Sequence, residues 1–281
     1  MYLRPATIEE ALDRLGAGAL LLAGGTDVMV GADETRLRGD VVDISRLSEL
    51  RGISRSGEAF RIGGATTWSE IARAELPPAF ATLQAAAREV GAIQIQNRGT
   101  VAGNLCNASP AADGAPALLA LDACVELVSR RGARRIPLAS FLTGPRRTQR
   151  AADEILSAVV CPAPPATMRS AFLKLGARRY LVISIVMVAV ALDIEAETVR
   201  AARVVVGACS PVAMRVGAAE RRLAGLPARA GLGDALRPQD FGALTPIDDL
   251  RASADYRRAA ALTLARRAAE LCLQGESGGA I

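Results

Sequence analysis

Gln94-Ile95-Gln96-Asn97-Arg98-Gly99-Thr100-Val101-Ala102-Gly103-Asn104-Leu105-Cys106-Asn107-Ala108-Ser109-Pro110-Ala111-Ala112-Asp113 is the stretch that decides how this chain is read. Residues 94–104 are polar and glycine-bearing between apolar flanks, which predicts a loop that does more than join two elements. Thr100, Gly103 and Asn104 place a hydroxyl, bare backbone and a carboxamide close together. Asp113, beyond the turn at Pro110, offers a carboxylate able to accept from a ribose or an adenine.

Toward the N-terminus, residues 83–90 have helical composition. Residues 60–65 read as a strand leading into Thr67 and Glu70, the spacing of a capping box in front of Ile71, and Pro77-Pro78 ends that helix. Thr7 and Glu10 repeat the spacing before a short amphipathic helix that reaches Leu15 and is stopped by Gly16 and Gly18. Residues 19–23 and 41–44 read as buried strands, so a βαβ-like lobe is expected first and a second lobe from near residue 58. The first of these strands runs into Leu21-Leu22-Ala23-Gly24-Gly25-Thr26-Asp27-Val28. Two glycines and a hydroxyl after a strand let backbone N–H groups turn toward an anion with no Cβ in the way. Alone, this segment is as well explained by a tight turn. Paired with Thr100-Val101-Ala102-Gly103-Asn104, it suits one ligand carrying two phosphates, the alternative being two unrelated turns.

Toward the C-terminus, residues 124–129 and 155–160 read as strands, and Cys161-Pro162-Ala163-Pro164-Pro165 is the strongest break in the chain, where the domain boundary is expected. Phe172-Leu173-Lys174 opens the last third. The Val- and Ile-rich residues 181–192 predict a buried strand, answered antiparallel by residues 199–208 across a turn at Glu195-Ala196-Glu197. Helices are predicted over 218–223 and 254–273, the second capped by Ser253 and ended by Gly275, with a disordered tail after it.

The 281 residues, 51% hydrophobic, suffice for two domains with a core each. Histidine is absent, which removes Ser-His-Asp and Cys-His catalysis and His-ligated metals. Cys106, Cys124, Cys161, Cys209 and Cys272 form no CxxC pair for zinc or an iron–sulfur cluster, so redox chemistry here requires an organic cofactor. The net charge of +5 comes from arginines scattered away from aromatics, a pattern that argues against nucleic acid and for an acidic partner. The run at 181–192 falls short of the roughly 20 residues a membrane span needs, and the start shows no apolar signal-peptide core. A cytoplasmic chain without a membrane span is expected. Of 34 lysines and arginines one is lysine, Lys174, which fits a site wanting a compact charge, though chance explains a single survivor as well.

Four features together resemble one family, the FAD-binding medium subunits of the molybdenum hydroxylases, of the xanthine dehydrogenase and carbon monoxide dehydrogenase type. They are the Ala23-Gly24-Gly25-Thr26-Asp27 loop, Ile62-Gly63-Gly64-Ala65-Thr66-Thr67, the whole segment 94–113, and Lys174 followed by Arg178-Arg179. The resemblance spans roughly residues 2–275 and implies an α+β fold. A two-lobed PCMH-type FAD-binding domain would occupy residues 1–165, with lobes at about 1–57 and 58–165. A smaller domain like the CO dehydrogenase flavoprotein C-terminal domain, with an antiparallel sheet and helices, would follow over 170–275, leaving 276–281 as a tail. By position, the resemblance implies a non-covalent FAD contacted by Leu21, Leu22, Ala23, Gly24, Gly25, Thr26, Asp27 and Val28, and by Thr100, Val101, Ala102, Gly103 and Asn104. It places Asp113 toward the ribitol or adenosine side, Leu156 at the pocket wall and Lys174 near the flavin ring. No residue of this chain is expected to be catalytic or to bind a metal.

The resemblance further implies a small partner with [2Fe–2S] clusters, a large partner with molybdopterin, an acceptor such as NAD, and a dimer of heterotrimers. The rival readings are a stand-alone FAD-dependent reductase of the cell-wall precursor type and a non-catalytic assembly subunit. Two departures stand out. Ala102 replaces a glycine common in the family, and a positive φ there would burden its methyl with about 1 kcal/mol. Arg178-Arg179-Tyr180-Leu181-Val182-Ile183-Ser184 lacks the acidic residues of the NAD-using members, which leaves NAD, a quinone or a cytochrome open as acceptor.

Overall fold

In a computed structural model, which describes residues 1–15, 18–29, 39–275 and 277–280, the apolar runs pair into three main sheets. The first is small and parallel. It holds β1 (Tyr2–Leu3), β2 (Leu20–Leu22) and β3 (Val41–Asp43) in the order β1-β3-β2, so the N-terminal lobe is βαβ-like. Helix α1 (Ile8–Arg14) begins where Thr7 accepts from the Glu10 N–H, and Glu10 in turn accepts from the Ala6 N–H at 2.8 Å. Gly16, expected in the helix stop, lies outside the described residues.

The second sheet is antiparallel throughout, in the order β4 (Ile53–Ser56), β5 (Ala59–Gly63), β10 (Ile155–Pro162), β6 (Cys124–Ser129) and β7 (Gly132–Pro137). Its core is shared with α2 (Trp68–Arg73), α3 (Ala81–Glu89), α5 (Val101–Asn107) and α6 (Gly114–Ala120). Helix α2 carries the full capping box, with Thr67 and Glu70 each satisfying the other's backbone. A single helical turn, α4 (Ile93–Gln96), precedes α5. A second one, α7 (Leu138–Phe141), leads into the ribbon of β8 (Leu142–Gly144) and β9 (Arg147–Thr148).

The third sheet runs β14 (Met214–Arg215), β13 (Thr198–Gly207), β12 (Val186–Glu195), β11 (Met168–Leu175) and β15 (Gly278–Ala280). Alternate residues of β11 and β12 face opposite ways. Ala171, Leu173, Val188 and Val190 pack with α8 (Gly217–Leu223) and α9 (Ala254–Gln274), while Phe172, Met187 and Ala189 join the core of the second sheet. Burial on both faces explains the unbroken apolar run in the sequence. It also fixes the C-terminal domain against α3 and α6, which carries Asp113, the residue ahead of α6, up to β11.

Four expectations are corrected. Residues 94–104 are not one loop, because α4 and the start of α5 lie within them. Thr100 accepts from the Gly103 N–H at 3.1 Å, and this cap turns a glycine-bearing stretch into a helix start. The strand expected from residue 181 begins at Val186, because Leu181 is left-handed (φ 47°) and residues 176–185 form a connection. The tail after Gly275 is not disordered over its described part. Residues 278–280 pair in parallel with β11, Phe172 opposite Gly278 and Lys174 opposite Ala280. Finally, Ala102 sits inside α5 with no positive φ, so its methyl carries no backbone strain.

Candidate functional site

The two glycine-bearing segments are far apart in the chain and touch in space. A Cβ on Gly24 would overlap the Arg98 carbonyl and come within 2.9 Å of the Gly99 Cα, so the loop after β2 lies directly against the backbone leading into α5. Gly25 follows with φ 76°, a conformation that favours glycine. On the other side, Trp68 donates its N–H to the Gly99 carbonyl at 3.1 Å, and Thr67 and Thr100 form an antiparallel bridge.

The segments differ in what they leave available. At the start of α5, Val101 donates to the Thr66 carbonyl and Ala102 to the Gly64 carbonyl, each at 3.0 Å, and Gly103 donates to Thr100 Oγ1. Those N–H groups are engaged. Among the described residues, the N–H groups of Gly24, Gly25, Thr26 and Asp27 donate to nothing. The buried Asn104 Oδ1 likewise has no partner among the described residues. A backbone donor cluster without acceptors is built for an anion, and an orphan buried acceptor costs stability unless a ligand donor meets it.

Gly24, Gly25, Thr26, Asp27 and Asn104 all line one open cavity of about 260 Å³. Of the residues singled out in the sequence, Leu21, Ala23, Gly24, Gly25, Thr26, Asp27 and Val28 line one wall. Thr100, Ala102, Gly103, Asn104 and Leu156 line another. Leu22 and Val101 lie outside the lining, and Val101 is fully buried in the core. The Asp27 carboxylate is exposed, so its charge is screened by solvent. The remaining wall, Ile44, Trp68, Val90, Ile95, Gly99, Cys106 and Asn107, was not among the candidate cofactor contacts. Trp68 is the only tryptophan in the chain, and its place directly after the Thr67 cap was the available signal. Burial pushes the Cys106 thiol up to about 11, so it stands in the wall as a neutral group. A lining that combines open backbone donors with apolar and aromatic side chains fits a dinucleotide with a diphosphate bridge and planar rings.

Asp113 and Lys174 do not line this cavity. They form a buried ion pair, with Lys174 Nζ donating to Asp113 Oδ2 at 2.7 Å and to the Glu89 carbonyl at 2.9 Å. Ser184 Oγ donates to Asp113 Oδ1 at 2.7 Å, so both carboxylate oxygens are engaged. Burial pushes the Asp113 carboxyl up, and the Lys174 ammonium opposes that. Among the described residues no cluster of His, Cys, Asp or Glu has a metal-holding arrangement, and no helix is long and apolar enough to cross a membrane.

Residues 1–164 match the family described as FAD binding domain in molybdopterin dehydrogenase, and residues 171–271 match the CO dehydrogenase flavoprotein C-terminal domain. The xanthine dehydrogenase FAD-binding subunit of Escherichia coli O157:H7 is 34% identical over 266 residues, covering 91% of this chain and 90% of that protein. The nicotinate dehydrogenase FAD-subunit of Eubacterium barkeri is 37% identical over 194 residues, 66% of each chain. Among solved structures, a chain of carbon monoxide dehydrogenase from Hydrogenophaga pseudoflava superimposes with a TM-score of 0.88 at 28% identity, covering 98% of both chains. Fold, cavity and sequence agree that this chain belongs to the FAD-binding medium-subunit family of the molybdopterin dehydrogenases and is an oxidoreductase flavoprotein subunit.

Proposed function

We propose that this chain holds FAD non-covalently as the electron-collecting subunit of a heterotrimeric molybdenum hydroxylase. Electrons would arrive from [2Fe–2S] clusters of a small partner, and a large partner would hydroxylate the substrate at a molybdopterin centre. The acceptor would be NAD or another carrier, and the assembly a dimer of heterotrimers in the cytoplasm. The observation that carries the reading is the convergence of the unengaged Gly24–Asp27 N–H groups and the α5 face on one cavity. Relatives named as the FAD-binding subunit, the FAD-subunit and the medium chain of dehydrogenases support a division of labour among subunits.

FAD supplies exchange between one- and two-electron carriers. The chain supplies the rest. The N–H groups of Gly24, Gly25, Thr26 and Asp27 would hold the diphosphate bridge, and Asn104 in the same lining would meet a donor of the ligand. Ile44, Val90, Ile95 and Leu156 would shield the rings from water. Asp113, expected toward the ribitol or adenosine side, and Lys174, expected near the flavin ring, would act as a pair from outside the cavity lining. The field of Lys174 on the ring would be that of a dipole rather than a bare cation, because Asp113 neutralises it at 2.7 Å.

The test is a visible spectrum of the purified full chain after incubation with FAD and desalting. Flavin bands near roughly 370 and 450 nm are expected, and mass spectrometry of the denatured chain should find no added flavin mass. A chain that emerges colourless contradicts the reading. Copurification with an iron–sulfur protein and a molybdopterin protein, followed by a substrate screen with dye acceptors, tests the assembly.

A further inference from the structure

The cavity wall holds one more polar group without a partner. Trp68, the first residue of α2 and the only tryptophan in the chain, is 1% exposed and lines the cavity. Its backbone N–H is held by the Gly99 carbonyl at 3.1 Å, which fixes the root of the side chain. The indole nitrogen can donate a hydrogen bond and cannot accept one. Among the described residues it donates to nothing, yet the nitrogen is not sealed in the core. In a side chain this buried, its open side is the cavity that the ring lines. Buried tryptophans ordinarily find an acceptor for this N–H, so one left facing a concave site marks an acceptor that comes with the ligand.

Two glycines show where along the ring that acceptor lies. A Cβ on Gly99 would stand 3.4 Å from Trp68 Cδ1 and 3.5 Å from Thr26 Oγ1. One end of the indole's polar edge therefore sits at the backbone against which the Gly24–Asp27 loop rests. A Cβ on Gly114 would overlap Trp68 Cη2 and come within 2.9 Å of Cζ2. The far end of the ring is thus wedged against the start of α6. The nitrogen is bonded to Cδ1, so its N–H belongs to the Thr26 end, on the side of the open donors of Gly24, Gly25, Thr26 and Asp27. Those backbone groups suit an anion, and an indole N–H beside them adds a charge-assisted bond to the same anion.

We propose that Trp68 is a cofactor-binding residue whose indole N–H donates to a diphosphate oxygen of the bound dinucleotide. The inference rests on the reading of the cavity as a FAD site and adds a side-chain donor to its backbone loop. Gly99 and Gly114, by lacking a Cβ, form the slot that holds the ring, so the N–H is aimed before the ligand arrives. The bond belongs to the diphosphate and not to the rings of the ligand, which makes it separable by the choice of probe.

The test uses the full wild-type chain labelled with nitrogen-15, and Trp68→Phe, with FAD, ADP and riboflavin as probes. One tryptophan gives one indole N–H resonance. FAD and ADP, which carry a diphosphate, are expected to shift it downfield and slow its exchange with solvent, whereas riboflavin, which carries none, leaves it in place. Trp68→Phe keeps a ring in the slot and loses the N–H. Titration calorimetry should then show FAD and ADP binding about tenfold more weakly and riboflavin within about twofold of wild type. An equal loss for all three ligands overturns the assignment, because a slackened wall gives that result without any bond from the indole. A resonance that riboflavin moves as far as ADP does, or that bound FAD leaves unmoved, also overturns it. Failure of the flavoprotein reading is distinguishable. A wild-type chain that takes up no FAD while ADP still shifts the resonance contradicts that reading and keeps the diphosphate bond, and one that binds neither overturns both. Should Trp68→Phe not fold, the wild-type resonance decides alone.

Discussion

The Gly24 cleft, at the start of α5, and the Asp113 cluster, just ahead of α6, treat their polar groups in opposite ways. At the cleft, four successive backbone donors and the Asn104 acceptor find no partner among the described residues. At the cluster, both oxygens of Asp113 are engaged by Lys174 and Ser184. Polar groups left open in a concave site mark where a ligand completes the structure, whereas a closed buried network holds the architecture itself. The two ends should therefore fail differently when perturbed.

The largest effect is expected at the closed end. Asp113→Ala leaves the Lys174 ammonium buried without its counter-charge, at a cost of about 3–5 kcal/mol. Calorimetry should show a melting point lower by roughly 10 °C, with or without cofactor. At the open end, Gly24→Ala forces the loop off the Arg98 backbone. Its FAD Kd is expected to rise about 100-fold, or about 2.7 kcal/mol, while the melting point of the cofactor-free chain moves by no more than a few degrees. Equal loss of stability in both variants would erase the contrast.

Two smaller effects sharpen it. The Cys106 thiol, pushed up to about 11, is protonated below that pH and ionises only above it. At pH 8 about a thousandth of it is thiolate, so iodoacetamide should label it about 100-fold more slowly than an ordinary exposed cysteine. Labelling should accelerate as the pH approaches 11, and bound FAD should slow it further. The smallest effect is Ala102→Gly. Because Ala102 is helical and not strained, glycine should destabilise by about 0.5–1 kcal/mol and leave the FAD Kd unchanged. A gain in affinity would mean that the methyl does obstruct the cofactor.

What was legible in the sequence follows the same division. The capping box at Thr67 and the caps at Thr7 and Ser253 placed α2, α1 and α9, because caps are local chemistry. The antiparallel pair β12–β13 was legible from its apolar runs and the turn at Ala196 and Glu197, both left-handed. The helix hidden in residues 94–104 was not, because Thr100 looks like a ligand group until its bond to the Gly103 N–H is seen. Nor was β15, whose glycine-rich residues pair only because β11 offers an edge from more than a hundred residues away. Both glycine-bearing loops were found as candidates, but only their contact in space shows which one keeps its donors open. The bond from Ser184 to Asp113 carries no local pattern at all.

The most direct measurement is amide hydrogen exchange across residues 18–29 and 99–107 with FAD, with riboflavin and with neither. The account predicts that FAD strongly protects the amides of Gly24, Gly25, Thr26 and Asp27, that riboflavin, which lacks the diphosphate, does not, and that Val101 and Ala102 are protected under all three conditions. Bound FAD that leaves the Gly24–Asp27 amides exchanging as freely as in the cofactor-free chain would contradict it.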